Sequence, residues 1–351
     1  MDRLNLVDAG LRAFDLRLPD VAPPLCVATR YRGSSCRLCL DVCPTAAITS
    51  ATWLQVEPQR CTSCGACAAV CKTGALSFVA RSAALRERLQ EVAAGCMRTI
   101  RFACRHAGVG MGADDDDGTV RDVIVVPCLG GISAADLIAA ASLGIVTIGL
   151  LSGECGTCAD AVAGAAVDAT TETVAETLSV LGADAIITRG SVPSSAPQAV
   201  SDALSVSRRG LFSYVARGLR RTAAEAIAPQ KRAVAELHRQ APPPATRVWL
   251  LGDLSVLAKG TEAGPVTLPE SLPLGTVAVS AECNACGLCV RYCPHEALRL
   301  DGGSLEVDGA RCTGCGLCAE ACPLAALVAE PGSFPLPARP RAASGAAASA
   351  R

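Results

Sequence analysis

The sequence predicts two small α+β modules organised by cysteine, one towards each end of the chain, flanking an α/β domain built on a parallel sheet. Three observations carry this prediction. Cysteines recur at fixed short spacings within residues 26–71 and again within 283–322. Between these regions, short β-branched apolar runs alternate with alanine-rich helical stretches, the pattern of parallel strands joined by crossovers. The 21 cysteines of the 351 residues fall only in these three regions.

The C-terminal region is the most regular. Cys283, Cys286, Cys289 and Cys293 precede Pro294, and Cys312, Cys315, Cys318 and Cys322 precede Pro323, giving two copies of C-x2-C-x2-C-x3-C-P. This run resembles that of bacterial ferredoxins, in which three thiolates wrap one cubane and the fourth reaches the other. The expected wiring is therefore crossed. Cys283, Cys286, Cys289 and Cys322 would hold one 4Fe-4S cluster, and Cys312, Cys315, Cys318 and Cys293 a second. Gly287, Gly314 and Gly316 let the backbone wrap closely, and each proline stops the helix after the fourth cysteine. A zinc ribbon, with four ligands in paired C-x2-C units, and a disulfide framework are the alternatives.

Residues 21–80 look like a second ferredoxin-type module. Cys61, Cys64, Cys67 and Cys71 repeat the spacing, with Lys72 in place of the proline. Upstream stand Cys36, Cys39, Cys43 and Pro44, but the first cysteine position is Gly33. Cys26, ten residues before Cys36, is the candidate replacement. Cys26, Cys36, Cys39 and Cys71 then make one cubane site, and Cys43, Cys61, Cys64 and Cys67 the other. Otherwise Cys26 is a small buried hydrophobe, beside a three-iron cluster or one with a non-cysteine ligand.

Sixteen cysteines fill four cubanes, leaving Cys96, Cys104, Cys128, Cys155 and Cys158. Residues 81–95 read as a connecting helix with a serine cap and a glycine stop. Beyond it, Thr99–Ala103, Val123–Val126, Ile145–Leu151 and Ala185–Thr188 read as strands, and Ser133–Leu143 and Ala159–Leu181 as helices. Cys104, Cys128, and Cys155 with Cys158 each follow a strand, and in open α/β sheets ligands gather outside the carboxyl ends of the strands. Four thiols delivered there can make a fifth metal site. The uncharged run Leu137–Gly153 is short for a membrane span and reads as a helix and a buried strand broken at Gly144.

Within residues 97–190, the blocks FACRHAG, VIVVPCLGGIS and GIVTIGLLSGECGTC resemble the iron-sulfur delta subunit of the methyl-viologen-reducing hydrogenase family. That resemblance implies a 2Fe-2S centre relaying electrons between a hydrogenase or formate dehydrogenase and a flavin-bearing subunit similar to that of heterodisulfide reductase. Cys104, Cys128 and Cys155 match family cysteines, whereas Ala107 and Leu150 stand where two others are expected. Cys158 lies outside the family pattern, and is favoured over Cys96 as fourth ligand. The alternative is structural buried cysteine. His106 is expected at the surface or just outside the metal's ligands, and His295 near a cluster, rather than either binding iron. The glycines 108, 110 and 112 give only a weak dinucleotide signal, because Asp114–Asp117 would repel a pyrophosphate.

The formal net charge of −1 gives no sign of a nucleic-acid partner. The N-terminal 1–20 carries charges throughout and has no secretory h-region. Cysteine-rich metal ligation without export points to a reducing, cytoplasmic setting. Residues 191–275 read as a basic helical linker. Within it, Arg208–Arg239 holds eight Lys or Arg and two Glu, and Leu211, Val215, Leu219 and Ala226 share a helical face. Such a helix packs within the chain, lies on a membrane surface as a peripheral contact, or docks on an acidic partner. A ferredoxin module over 276–330 and a disordered tail over 331–351 complete the layout.

No independent catalytic constellation is present, so the sequence points to an electron-transfer subunit carrying four 4Fe-4S clusters and one 2Fe-2S cluster. Its expected partners are redox proteins: a hydrogenase, a formate dehydrogenase or a flavoprotein subunit. The competing function is reduction of a disulfide or sulfur compound at the C-x-x-C pair Cys155 and Cys158.

Overall fold

The computed structural model describes residues 18–50, 53–107, 122–191, 241–258, 265–331 and 333–335. The N-terminal module is bracketed by an antiparallel pair, β1 (Asp20–Val21) with β4 (Leu76–Ser77), and contains a second pair, β2 (Ile48–Thr49) with β3 (Gln55–Val56). Its helices are single turns: α1 (Val27–Arg30), α2 (Leu38–Asp41) and α3 (Ala66–Val70). Turns this short have no stability of their own. They are held by a small core in which Ile48, Leu54, Ala75 and Leu76 pack against Cys26 and Cys67.

Helix α4 (Val79–Ala94) runs from this module into the central domain. The expected serine cap is not used: the helix starts three residues before Ser82, after Phe78, and makes no side-chain cap bond at its start. Instead the Val79 N–H donates to Asp20 Oδ2 at 3.3 Å, so a carboxylate from β1 satisfies an orphan donor. Gly95 does end the helix, although Cys96 rather than the glycine takes the left-handed turn (φ 58°).

The central sheet contains β5 (Thr99–Cys104), β6 (Val123–Val126), β7 (Thr147–Ser152) and β8 (Ile186–Ser191), all parallel, in the order β6-β5-β7-β8. Its crossovers include α5 (Ala134–Ser142) and α6 (Ala161–Val180). Ser133 and Asp136 cap α5 reciprocally as a capping box. The run Leu137–Gly153 is the expected helix and strand, parted at Gly144 (φ 88°), and no described helix is long and apolar enough to cross a membrane. Ile100, Phe102, Ile138, Ile148 and Leu150 are fully enclosed at the centre of the core.

Two expectations are corrected here. The stretch 245–275, read as part of a linker, contains α7 (Ala245–Leu257), which packs on α5 with Leu250 and Leu254 wholly buried. Leucines at helical spacing, Leu250 and Leu254, face the core, and the prolines at 242–244 lead into the helix. Asp253 of α7 takes a two-pronged ion pair from Arg86 of α4 (2.7 and 2.8 Å) and a bond from Ser142 Oγ (3.0 Å). The tail is also more ordered than expected: β14 (Ser333–Pro335) pairs antiparallel with β9 (Pro265–Thr267). Backbone ladder bonds need no alternating side-chain pattern, which is why composition gave no hint of this pair. The basic amphipathic stretch 211–226 and the acidic run Asp114–Asp117 lie outside the described residues.

The C-terminal module mirrors the first. The pair β10 (Gly275–Val279) with β13 (Leu327–Pro331) brackets α8 (Leu288–Tyr292), the hairpin β11 (Leu298–Asp301) with β12 (Ser304–Val307), and α9 (Leu317–Glu320). Arg247 of α7 binds this module to the rest. Its guanidinium, 2% exposed, donates to the carbonyls of Pro273 and Gly309 at 2.7 Å. Replacing Leu254 by Ala should lower stability by about 2–5 kcal/mol, the range for emptying a fully buried leucine site, as checked by denaturant unfolding followed by circular dichroism.

Candidate metal centres

Every cysteine is a free thiol. Sixteen of them stand in four groups, two per module, and the mutual repulsion of their negative charges shows who neighbours whom. Burial first, then Cys71, Cys26 and Cys36, pushes the Cys39 thiol up to about 12. Cys36 is raised by burial and by the same neighbours, Cys26 and Cys71. Cys26 thus lies beside the thiols it was expected to join. Gly33, where a regular repeat would place a cysteine, is covered by the Tyr31 ring, whose atoms lie 2.8 Å from where a Cβ would sit.

The second N-terminal group is Cys43, Cys61, Cys64 and Cys67. Cys67 is driven far up by burial, with Cys64, Cys61, Cys39 and Cys43 adding. In the C-terminal module Cys318 is pushed up to about 12 by burial, then by Cys315, Cys312 and Cys293. Cys283, Cys286, Cys289 and Cys322 line a single pocket with Leu288, Leu300 and Leu327, and Cys286 is exposed at its mouth. Backbone amides are aimed at sulfur at the same point of both modules: Ala47 N–H to Cys43 Sγ and Ala297 N–H to Cys293 Sγ, each 3.3 Å. The left-handed glycines Gly65, Gly287 and Gly316 start α3, α8 and α9, a backbone state that disfavours any other residue.

At the carboxyl edge of the sheet, Cys104, Cys128, Cys155 and Cys158 line one cavity together with His106, Asp160 and Arg189. Cys104 ends β5, Cys128 follows β6, and Cys155 and Cys158 follow β7. Gly153 N–H points at Cys104 Sγ (3.3 Å) and Asp160 N–H at Cys158 Sγ (3.4 Å). Cys96 precedes β5, at the opposite end of the sheet, and is exposed, so it does not reach this cavity. His295 is 1% exposed, has Nδ1 3.2 Å from the Ala241 carbonyl, and is held below its usual pKa by burial.

A polar bridge that no sequence motif marks joins this cavity to the N-terminal module. Asp160, 3% exposed, accepts from Thr62 Oγ1 at 2.6 Å and from Arg105 Nη2 at 3.0 Å, and Arg105 also donates to the Thr62 carbonyl at 3.2 Å. Cys128 is pushed up to about 12 by burial, with Cys64, Asp160 and Cys104 contributing. A Cβ on Gly131 would sit 2.3 Å from the Cys64 carbonyl, so glycine is what lets the two backbones meet. Nothing local in the sequence marks Thr62, Arg105 and Asp160 as partners.

Among the described residues, no three or more His, Cys, Asp or Glu side chains meet around a single metal-ion position. The thiols instead line pockets, with amides turned towards sulfur, a donor set suited to a cluster. A family model for the 4Fe-4S dicluster domain matches residues 33–75 and, separately, residues 282–326. Both segments are ferredoxin-like 4Fe-4S modules. They support up to four 4Fe-4S clusters and an iron-sulfur electron-transfer role. The first match begins after Cys26, and neither includes a residue that lines the sheet-edge cavity. Comparison with curated proteins and with solved structures found no match.

The raised thiols set a pH dependence for assembly. Cluster ligation requires thiolates, and burial holds Cys39 and Cys318 protonated up to about 12 and Cys315 up to about 11. Iron and sulfide uptake by the metal-free protein should therefore speed up between about pH 7 and pH 9, followed by absorbance. In that metal-free protein the shifts stabilise the fold fully below the ordinary thiol pKa. This contribution falls as pH rises through the folded values of about 11 to 12.

Proposed function

We propose that this chain is an electron-relay subunit of a multi-subunit redox complex, carrying four 4Fe-4S clusters and a fifth, two-iron centre. The observation that carries the proposal is the order in which the cysteine groups touch. The sheet-edge cavity meets the Cys43, Cys61, Cys64 and Cys67 group through Cys128 and Cys64. That group shares its module with Cys26, Cys36, Cys39 and Cys71. This second group faces Cys293, Cys312, Cys315 and Cys318 across the module junction, where Lys72 Nζ lies 3.5 Å from the Gly314 carbonyl. The last group, Cys283, Cys286, Cys289 and Cys322, opens to the surface at Cys286. Such an arrangement is a line with an end at the sheet edge and an end at the C-terminal pocket.

Held in these cages, iron-sulfur clusters would supply one-electron transfer without bond breaking. The protein's own contribution is spacing, insulation and docking. Burial and amide bonds to Cys43, Cys293, Cys104 and Cys158 would adjust how readily the three groups they belong to accept charge. The two-iron centre rests on Cys104, Cys128, Cys155 and Cys158 and on the hydrogenase-delta resemblance of residues 97–190. The same resemblance makes a hydrogenase, a formate dehydrogenase or a flavoprotein subunit the proposed partner, in a reducing cellular interior.

Anaerobically purified protein should contain about 18 irons per chain, from four cubanes and one two-iron centre. Cys158→Ser should bring this to about 16 and remove one EPR signal. A wild-type content near 16 together with an alkylatable Cys155 and Cys158 pair would instead favour disulfide reduction at that site. Cys26→Ser should convert one cubane signal to a three-iron signal, and an unchanged spectrum would remove Cys26 from the ligands.

A further inference from the structure

The junction between the two ferredoxin-like modules is built around one buried cation. Arg30, the last residue of α1, is 7% exposed and lies four residues after Cys26. Its guanidinium crosses into the C-terminal module. Nε donates to the Tyr292 carbonyl at 2.8 Å, and Nη2 lies 3.4 Å from the carbonyls of Arg291 and Cys293. On its own side, Nη1 donates to the Pro24 carbonyl. These bonds take up carbonyls at the end of α8, the helix that carries Cys289 and delivers Cys293 to the neighbouring group. Around it, Tyr31 meets Tyr292 edge-on with ring centroids 5.6 Å apart, and Ser35 N–H donates to Glu320 Oε1 at 3.1 Å.

A guanidinium taken out of water needs negative charge close by. Desolvation lowers the Arg30 pKa, and the nearby Cys293 and Cys315 thiolates work against that fall. Both are among the four thiols proposed to hold the inner cluster of the C-terminal module. A fixed positive charge beside a cluster favours its reduced, more negative state and so raises its reduction potential.

We propose that Arg30 of the N-terminal module is a positioning residue for the C-terminal module: it sets the reduction potential of the cluster at Cys293, Cys312, Cys315 and Cys318. One module thereby tunes the other, and makes the acceptor across the junction easier to reduce. The electron that crosses comes from the reduced cluster on the Cys26 side, which is oxidised as the one beyond Arg30 is reduced. This inference rests on the cubane assignment above, so the experiment first establishes loading.

Iron analysis of wild type, Arg30→Gln and Arg30→Lys comes first, and the spectral change on Cys293→Ser identifies the relevant EPR signal. A wild type without cubane iron would sink the relay itself. With iron present, EPR-monitored redox titration with dithionite decides about Arg30. Gln keeps a donor for the Tyr292 carbonyl but no charge; Lys keeps the charge. The expected result is that Arg30→Gln makes that one cluster about tenfold harder to reduce, about 59 mV for a one-electron couple, while Arg30→Lys stays within about threefold of wild type. Loss of about four irons from Arg30→Gln alone would equally show that the cage needs the charge. Unchanged potentials in fully loaded Arg30→Gln, or equal effects of Gln and Lys, would overturn the proposal.

Discussion

Crowding thiols that must become thiolates into small buried spaces is the constraint that the rest of this chain answers. Burial penalises each thiolate most, and the repulsion of neighbouring negative sulfurs adds to it, as the raised Cys39, Cys67 and Cys318 thiols show. Iron resolves the conflict for the loaded protein. The fold supplies what iron does not: amides turned to sulfur, left-handed glycines that admit tight wrapping, and cations such as Arg30 where two modules meet. One-turn helices and two-residue strands suffice because the cages, not the secondary structure, are the organising centres.

The central domain gathers its cysteines by a different route. A parallel sheet brings the ends of β5, β6 and β7 to one edge, so cysteines as far as 54 residues apart in sequence line one cavity. Its buried Asp160 is shared with Thr62 of the N-terminal module, so the cavity and the neighbouring cysteine group are held in fixed relation. Both the backbone approach at Gly131 and this polar bridge make the central domain and the first module one continuous body around Cys64 and Cys128.

Much of this was legible in the sequence because cysteine spacing and strand periodicity are local signals. The strand Val123–Val126 and the breaks around Gly144 were readable from β-branched runs and glycine alone. The placement of Cys104, Cys128, Cys155 and Cys158 after strands followed from that reading, and the structure puts all four in one cavity. What escaped notice depends on tertiary packing. Helix α7 lacks a side-chain cap bond and follows a run of prolines, so its burial against α5 left no local trace. Likewise, the start of α4 is fixed by Asp20, nearly sixty residues upstream, rather than by the serine within it. The Arg105, Thr62 and Asp160 bridge joins residues that no motif links.

The glycine at position 33 acquires a meaning from its surroundings. The Tyr31 ring fills the volume a side chain there would need, and the same ring meets Tyr292 of the other module. A conventional cysteine at 33 and this aromatic handshake compete for one space. The irregular spacing of the first repeat is therefore the local signature of a fused pair: with Cys26 standing beside Cys36 and Cys39, the wall at position 33 carries no thiol and is shared with the other module.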